Sequence, residues 1–148
     1  MSNMQTTMLR AAAILWIIWG LVHFLAGVLV LSTDTAGGFA AIADAVPDAD
    51  LAGPYHAAVR GVLGQHAWNL GWFGLATVIG ALFIWRGNLT AIWVAGMVGG
   101  LADLGYLIFL DLPGHVLFFP GTVMTFMSGG AILLSFPVWL RRRRPAVV

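Results

Sequence analysis

Four long apolar segments, separated by more polar ones, dominate the pattern of this chain. They cover residues 11–31, 62–85, 91–110 and 119–140, with boundaries good to about 2–4 residues. Each is near the ~20 residues that a helix needs to cross the hydrocarbon core of a bilayer. Because lipid offers no hydrogen-bond partners, backbone groups must be satisfied within each segment, which favours α-helices. The pattern predicts an all-α integral membrane protein, with a single transmembrane domain over residues 1–148.

The composition agrees with a protein embedded in lipid. Of 148 residues, 60% are hydrophobic and 9% charged, whereas soluble domains carry about a quarter charged residues. The chain has no cysteine, which excludes disulfides, thiolate metal sites and thiol nucleophiles. A formal net charge of +1 gives no reason to expect a nucleic-acid partner. A secretory signal peptide is disfavoured for the first segment, because its apolar run exceeds the usual 7–15 residues.

The few charged side chains predict an orientation. Arg10, Arg86 and the arginine run at 141–144 fall on one side of the four segments. The other side holds Arg60 as its only basic residue, together with five aspartates: Asp34, Asp44, Asp48, Asp50 and Asp111. Since cytoplasmic loops carry the excess of basic residues, we expect both termini in the cytoplasm and an up-down-up-down four-helix bundle. The run at 141–144 is alternatively a patch for nucleic acid or lipid headgroups, but a stop-transfer anchor is favoured.

One long external loop, at about residues 32–61, connects the first two spans. Its alanine-rich stretch 39–46 predicts a short helix on the membrane surface that Pro47 ends. Gly53 and Pro54 resemble a helix start, because proline is favoured at the first helical position. The second helix is therefore expected to begin near Pro54 and to enter the membrane near residue 62.

Strongly polar side chains occur in only one half of the predicted bilayer. Counting 1.5 Å per helical residue puts His23, Asn69 and Asp103 roughly 10–12 Å below the external surface, with His66 and Tyr106 roughly 6 Å below it. Three different helices thus bring polar groups to one level. The sequence predicts a polar pocket in the external half, open to a lipophilic small molecule.

Asp103 is the strongest candidate for a functional residue. An ionised carboxylate within a span costs about 2.5 kcal/mol or more, and such residues are functional by default. Paired with His23 it would form an acid–base couple that shares a proton. The remaining predicted ligand-binding residues are Gln65, His66, Asn69, Trp72 and Tyr106.

Each of these residues also has a structural interpretation. His23 could hold helices together through a backbone carbonyl or Asn69, and Asp103 could be a hydrogen-bonding strut, with Arg60 as one alternative partner. His66 and Gln65 could simply lie at the headgroup boundary. If a metal or haem is bound, its ligands would come from three residues: His23, His66 and Asp103.

Glycines in the third segment predict close helix contacts. Gly96 and Gly100 have the small-xxx-small spacing that lets backbones approach, and Gly99 lies one turn before Asp103. We expect these glycines to pack against a neighbouring helix, either within the bundle or in a homo-oligomer.

Arg10, the Gly-Leu-Val-His stretch at 20–23, Gly27 and the glycine-rich third helix resemble the small bacterial DoxX-like membrane proteins. The chain departs from that family by lacking lysine and cysteine. The resemblance implies architecture and a bacterial inner membrane more than an activity, although some family members are associated with quinone or sulfur redox chemistry.

Three hypotheses for the function follow. The first is a membrane protein that binds a lipophilic small molecule, with enzymatic activity left open. The second is an accessory subunit of a larger membrane complex, and the third is a haem- or metal-binding electron carrier. The sequence names neither a substrate nor a cofactor.

Overall fold

The computed structural model describes residues 1–143, which form helices and connecting turns without strands. The α-helices are α1 (Asn3–Ser32), α2 (Thr35–Ala40), α3 (Asp48–Leu51), α4 (Ala57–Trp85), α5 (Leu89–Tyr106) and α6 (Val123–Arg143). A π-helical segment, Leu107–Asp111, follows α5, and a kinked segment, Phe118–Thr122, with extended backbone at Phe119, precedes α6. Arg144, the last of the predicted arginine run, lies outside the described residues, as does Val148.

Four helical stretches are long and apolar enough to cross a membrane, as the sequence predicts. They are Asn3–Ser32, Ala57–Trp85, Leu89–Asp111 and Phe118–Arg142. Large apolar side chains cover their outer surface: Phe109 is 73% and Leu133 74% exposed. Exposed apolar area on this scale indicates contact with lipid rather than water. These are the lengths and surface of a multi-pass membrane protein.

Two predicted helix starts are wrong, and side-chain caps explain both differences. α1 begins at Asn3 rather than near residue 11, because Ser2 and Gln5 form a capping box: each side chain accepts from the other's backbone N–H, at 3.3 and 3.2 Å. α4 begins at Ala57 rather than Pro54, because Nδ1 of His56 accepts from the backbone N–H of Ala58 at 3.1 Å.

The connection between α1 and α4 also differs from the prediction. The expected helix over 39–46 is wrong, since α2 spans Thr35–Ala40 and residues 41–46 form turns. Asp34 sets this earlier start, because its Oδ1 accepts from the backbone N–H of Gly37 at 2.8 Å. We call residues 33–56 the long connection.

Glycines allow α1 and α4 to pack with their backbones in contact. A Cβ atom added to Gly20 would lie 2.5 Å from the carbonyl oxygen of Gly74 and 2.6 Å from Oγ1 of Thr77. A Cβ atom at Gly27 would lie 2.6 Å from the carbonyl oxygen of Ala67. Only glycine fits at such separations, so this seam is the tightest helix contact described here.

The glycines of α5 divide into one buried contact and two looser positions. A Cβ at Gly99 would overlap the ring of Trp16, as predicted for a close contact. A Cβ at Gly96 has nothing within 4 Å, so this residue makes no close contact within the bundle of residues 1–143, and the alternative contact in a homo-oligomer stays a prediction. Gly100 would meet only the end of one flexible side chain, 2.8 Å away. The buried face of α5 runs through Ala95, Gly99 and Asp103, and Gly96 lies half-buried at its edge.

Arginines join the helix ends. Arg60 of α4 donates to the last carbonyls of α1, with Nη1 and Nη2 each 3.0 Å from the oxygens of Val30 and Leu31. A guanidinium at a helix C-terminus satisfies free carbonyls and complements the helix dipole. At the other end of α1, the Arg10 guanidinium lies 5.3 Å from the ring centroid of Trp85. Arg60 is therefore engaged with α1 and is not the partner of Asp103.

Candidate functional site

A buried carboxylate links three of the spanning helices. Asp103 of α5 is 3% exposed. Its Oδ1 accepts from Nε1 of Trp19 in α1 at 3.0 Å, and its Oδ2 accepts from the hydroxyl of Ser128 in α6 at 2.6 Å. Both carboxylate oxygens are thus satisfied by donors, as burial requires.

His23 lies one helical turn after Trp19 and is held by it twice. Its imidazole stacks on the indole with 3.7 Å between ring centroids, and its Nδ1 lies 2.8 Å from the carbonyl oxygen of Trp19. A carbonyl only accepts, so we assign the hydrogen of this bond to Nδ1. Trp19 therefore positions His23 through its backbone and ring while its indole N–H binds Asp103.

The other nitrogen of His23 is open to a cavity. The residue is 9% exposed, yet Nε2 is not among the buried polar atoms that lack a partner, and no hydrogen bond to Nε2 forms within residues 1–143. His23 lines a cavity of about 380 Å³. We conclude that Nε2 faces this space, since it is neither bonded nor covered by protein.

The cavity has a largely apolar wall with a few polar groups. It lies among α1, α4, α5, the start of α6 and the long connection. Its polar lining residues are His23, Asp44, His66 and Tyr106, and apolar ones include Leu70, Phe73, Phe109 and Met124. Such a wall, with a small number of placed polar groups, is typical of sites for small organic molecules.

The long connection covers one side of the cavity. Oδ1 of Asp44 accepts from the backbone N–H of Leu117 at 2.7 Å, and the backbone N–H of Ala45 donates to the carbonyl of His115 at 3.1 Å. These two bonds fasten the long connection to the segment between α5 and α6. As a result Asp44 is held at the cavity, 73 residues before Leu117 in the chain.

The structure brings part of the predicted site together. His23, His66 and Tyr106 line one cavity, and Asp103 is buried behind Trp19. In the part of the chain described here, His23 and Asp103 do not hydrogen-bond each other as predicted: Nδ1 of His23 bonds the carbonyl of Trp19, and Asp103 accepts from Trp19 and Ser128. Trp19 contacts both residues.

Three predicted ligand-binding residues lie away from the cavity. Gln65 is exposed, and Oδ1 of Asn69 accepts from Nε1 of Trp72 at 3.1 Å at an exposed position of α4. None of the three lines the cavity. The face of α4 toward the cavity instead runs through His66, Leu70 and Phe73. The helix is therefore rotated relative to the prediction: Leu70, four residues after His66, lines the cavity in place of Asn69, three residues after it.

Sequence reasoning missed Trp19, Ser128 and Asp44 as site residues. The i−4 spacing of Trp19 from His23 was a usable signal, since such residues share a helix face. Ser128 is one of few hydroxyl residues in the last span. No periodicity in the sequence places Asp44, whose position depends on how the long connection folds back.

The geometry does not favour a metal centre. Within residues 1–143 no three His or Asp side chains come together in a metal-binding group. The predicted ligand set of His23, His66 and Asp103 is divided: two line the cavity, and the carboxylate is occupied by its two donors.

Compared with protein-family models, curated proteins and solved structures, the chain matches none. The likeness to DoxX-like proteins therefore stays a prediction. What the fold and the site define is a helical multi-pass membrane protein with an internal, mainly apolar cavity.

Proposed function

We propose that this protein binds a lipophilic small molecule in the cavity beside His23. The observation that carries the proposal is an apolar space of about 380 Å³ reached by an imidazole nitrogen that no described protein group satisfies. The volume falls within the roughly 300–1,000 Å³ typical of small-molecule sites. An uncovered polar atom in a mainly apolar wall favours a ligand that satisfies it.

In the same proposal the protein lies in a bacterial cytoplasmic membrane, as an up-down-up-down bundle with both termini in the cytoplasm. The charges support this orientation. Arg10 and Arg142 lie at helix ends away from the long connection, with Arg142 donating to the carbonyl of Gly87 at 3.3 Å. Asp48 and Asp50 lie in the long connection. The positive-inside rule then puts the cavity in the external half of the bilayer.

In the proposed site, the hydrogen-bonded residues that end at His23 have different roles. Asp103 and Ser128 orient Trp19, and Trp19 orients His23, so these three are positioning residues. His23 is the group that contacts the ligand. If the ligand carries a labile proton, Nε2 of His23 is the base placed to accept it.

A filled-cavity variant tests the proposal. Gly105 lines the cavity, and a Cβ there meets nothing within 4 Å, so Gly105→Leu should occupy the space without a backbone clash. The matched control is Gly129→Leu in α6, which is equally unobstructed and does not line the cavity. Both variants and the wild type are purified in mild detergent, and bound molecules are identified by native mass spectrometry and organic extraction.

We expect a lipophilic molecule at near-stoichiometric occupancy in the wild type and the control, and its loss in Gly105→Leu. Circular dichroism and thermal unfolding should show that both variants fold. Equal occupancy in all three proteins would place the ligand elsewhere. A wild type free of any bound molecule, even when purified in native lipid discs, would refute the proposal.

A further inference from the structure

We propose that the ligand carries a hydroxyl group that donates to Nε2 of His23, which makes it a lipophilic alcohol or phenol rather than a ketone, ester or carboxylate. This inference rests on the proposed function, because it takes the cavity as the binding site. It follows from the hydrogen-bonding state of His23.

A neutral imidazole has one donor and one acceptor nitrogen. The donor is used on the carbonyl of Trp19, 2.8 Å from Nδ1, so Nε2 is an acceptor. The ring cannot exchange these roles by turning over, because a flip would replace Nδ1 with a carbon and break the bond to Trp19. Stacking on the indole, with 20° between the ring planes, further restricts the imidazole.

A doubly protonated ring would instead select an anion, and two observations disfavour it. An imidazolium within the hydrocarbon region is costly. The nearby carboxylate of Asp103 receives its hydrogen bonds from Trp19 and Ser128 rather than from His23. The acceptor state of Nε2 is therefore the one to which a ligand must be complementary.

Tyr106 indicates which kind of donor group the ligand carries. It lines the same cavity, and its hydroxyl makes no hydrogen bond to another described residue. A phenolic hydroxyl both donates and accepts. A ligand hydroxyl matches this pair of groups, since its hydrogen satisfies Nε2 of His23 while its oxygen accepts from Tyr106. The apolar wall suits the rest of such a molecule.

A matched series of probes tests the inference in lipid nanodiscs. 4-Hexylphenol has the donor, 4-hexylanisole has it methylated, and 4-hexylbenzoate carries an anion in its place. Uptake by nanodiscs that contain Gly105→Leu is subtracted, which removes partitioning into lipid. We expect the phenol to bind about 10-fold more tightly than the anisole, the value of one good hydrogen bond.

Variants then test whether His23 causes the preference for the phenol. In His23→Phe, which keeps an aromatic ring against Trp19, the anisole-to-phenol ratio of dissociation constants should fall from about 10 to about one, with anisole binding unchanged. His115→Phe, at an exposed position outside the cavity, should retain the ratio. If His23→Phe does not fold, His23→Leu is used in its place and should also bring the ratio to about one. Tyr106→Phe should weaken both probes alike, since the oxygen of each accepts from Tyr106.

The outcomes separate this inference from the function on which it rests. Equal binding of phenol and anisole to the wild type, above the Gly105→Leu background, would overturn the hydroxyl assignment and leave the cavity function standing. Tightest binding of the benzoate would also overturn it, since His23 would then be a cation. No binding of any probe above background, together with no co-purified molecule, would overturn both.

Discussion

Replacing Asp103 distinguishes its hydrogen bonds from its charge. Asparagine keeps an oxygen that can accept from Nε1 of Trp19, and its amide can donate to the Ser128 hydroxyl. That hydroxyl can turn its own hydrogen to the carbonyl of Thr125, which lies 3.1 Å away. Leucine has a similar volume but neither acceptor oxygen. Ser128 can then donate to the Thr125 carbonyl, whereas within the described residues the indole N–H of Trp19 has no such alternative.

The magnitudes follow from that difference. An orphaned buried donor costs about 1–3 kcal/mol, and this applies to the indole N–H of Trp19. Losing the second bond adds about 0.6 kcal/mol, the average for hydrogen bonds between membrane helices. We therefore expect Asp103→Leu to lower the free energy of unfolding by about 1.5–3.5 kcal/mol, and Asp103→Asn to change it by less than about 1 kcal/mol.

Unfolding in mixed micelles of mild detergent and dodecyl sulfate, followed by tryptophan fluorescence, measures these changes. Ligand occupancy is measured on the same samples. Because Asp103 acts through the orientation of Trp19, Asp103→Asn should also retain the ligand. If asparagine were as damaging as leucine, the carboxylate charge would be the essential property, and the positioning role proposed for Asp103 would be wrong.

Three further predictions concern the bundle. Gly20→Ala should destabilise the protein by about 1–3 kcal/mol, because its Cβ meets the Gly74 backbone. The control Gly71→Ala should be neutral, because a Cβ there has nothing within 4 Å. Equal unfolding curves for the two variants would contradict the close packing of α1 and α4. Arg60→Gln should cost about 1 kcal/mol in the same assay by uncapping α1, and no change would mean that water satisfies those carbonyls equally well. Reporter fusions at Asp48 and Gly114 should read external, and those at Gly87 and Val148 cytoplasmic, and a cytoplasmic reading at Asp48 would reverse the proposed orientation.

The sequence predicts the spans well because apolar length is a direct requirement of the bilayer. It also identifies His23 and Asp103, since polar residues within a span are few. The sequence does not determine the rotation of each helix about its axis. Asn69 and Leu70, at i+3 and i+4 from His66, could equally share its face, and packing against the other helices turns Leu70 toward the cavity. The choice determines whether Asn69 lines the cavity or faces outward.

Contacts between residues distant in sequence could not be predicted either. Asp44 binds the backbone of Leu117, and nothing in the local pattern of either segment indicates the other. The helix starts at Asn3 and Ala57 depend on capping side chains outside the apolar runs, which hydrophobicity does not detect. Gly96 shows a related limit, because its spacing permits a close contact without deciding which neighbour, if any, approaches.

The π-helical turn Leu107–Asp111 makes this part of the cavity wall sensitive to insertions and deletions. Its backbone bonds join residues five apart, as from the N–H of Leu112 to the carbonyl of Leu107 at 2.9 Å, so this wide turn holds one residue more than an α-turn. Deleting one residue there would restore α-helical geometry, so the change would fall on the wide turn itself, where Phe109 and Leu110 line the cavity. Single-residue length changes at this point would thus reshape the cavity while leaving the glycine seam of α1 and α4 intact, so the bundle can keep its packing while its proposed binding site changes shape.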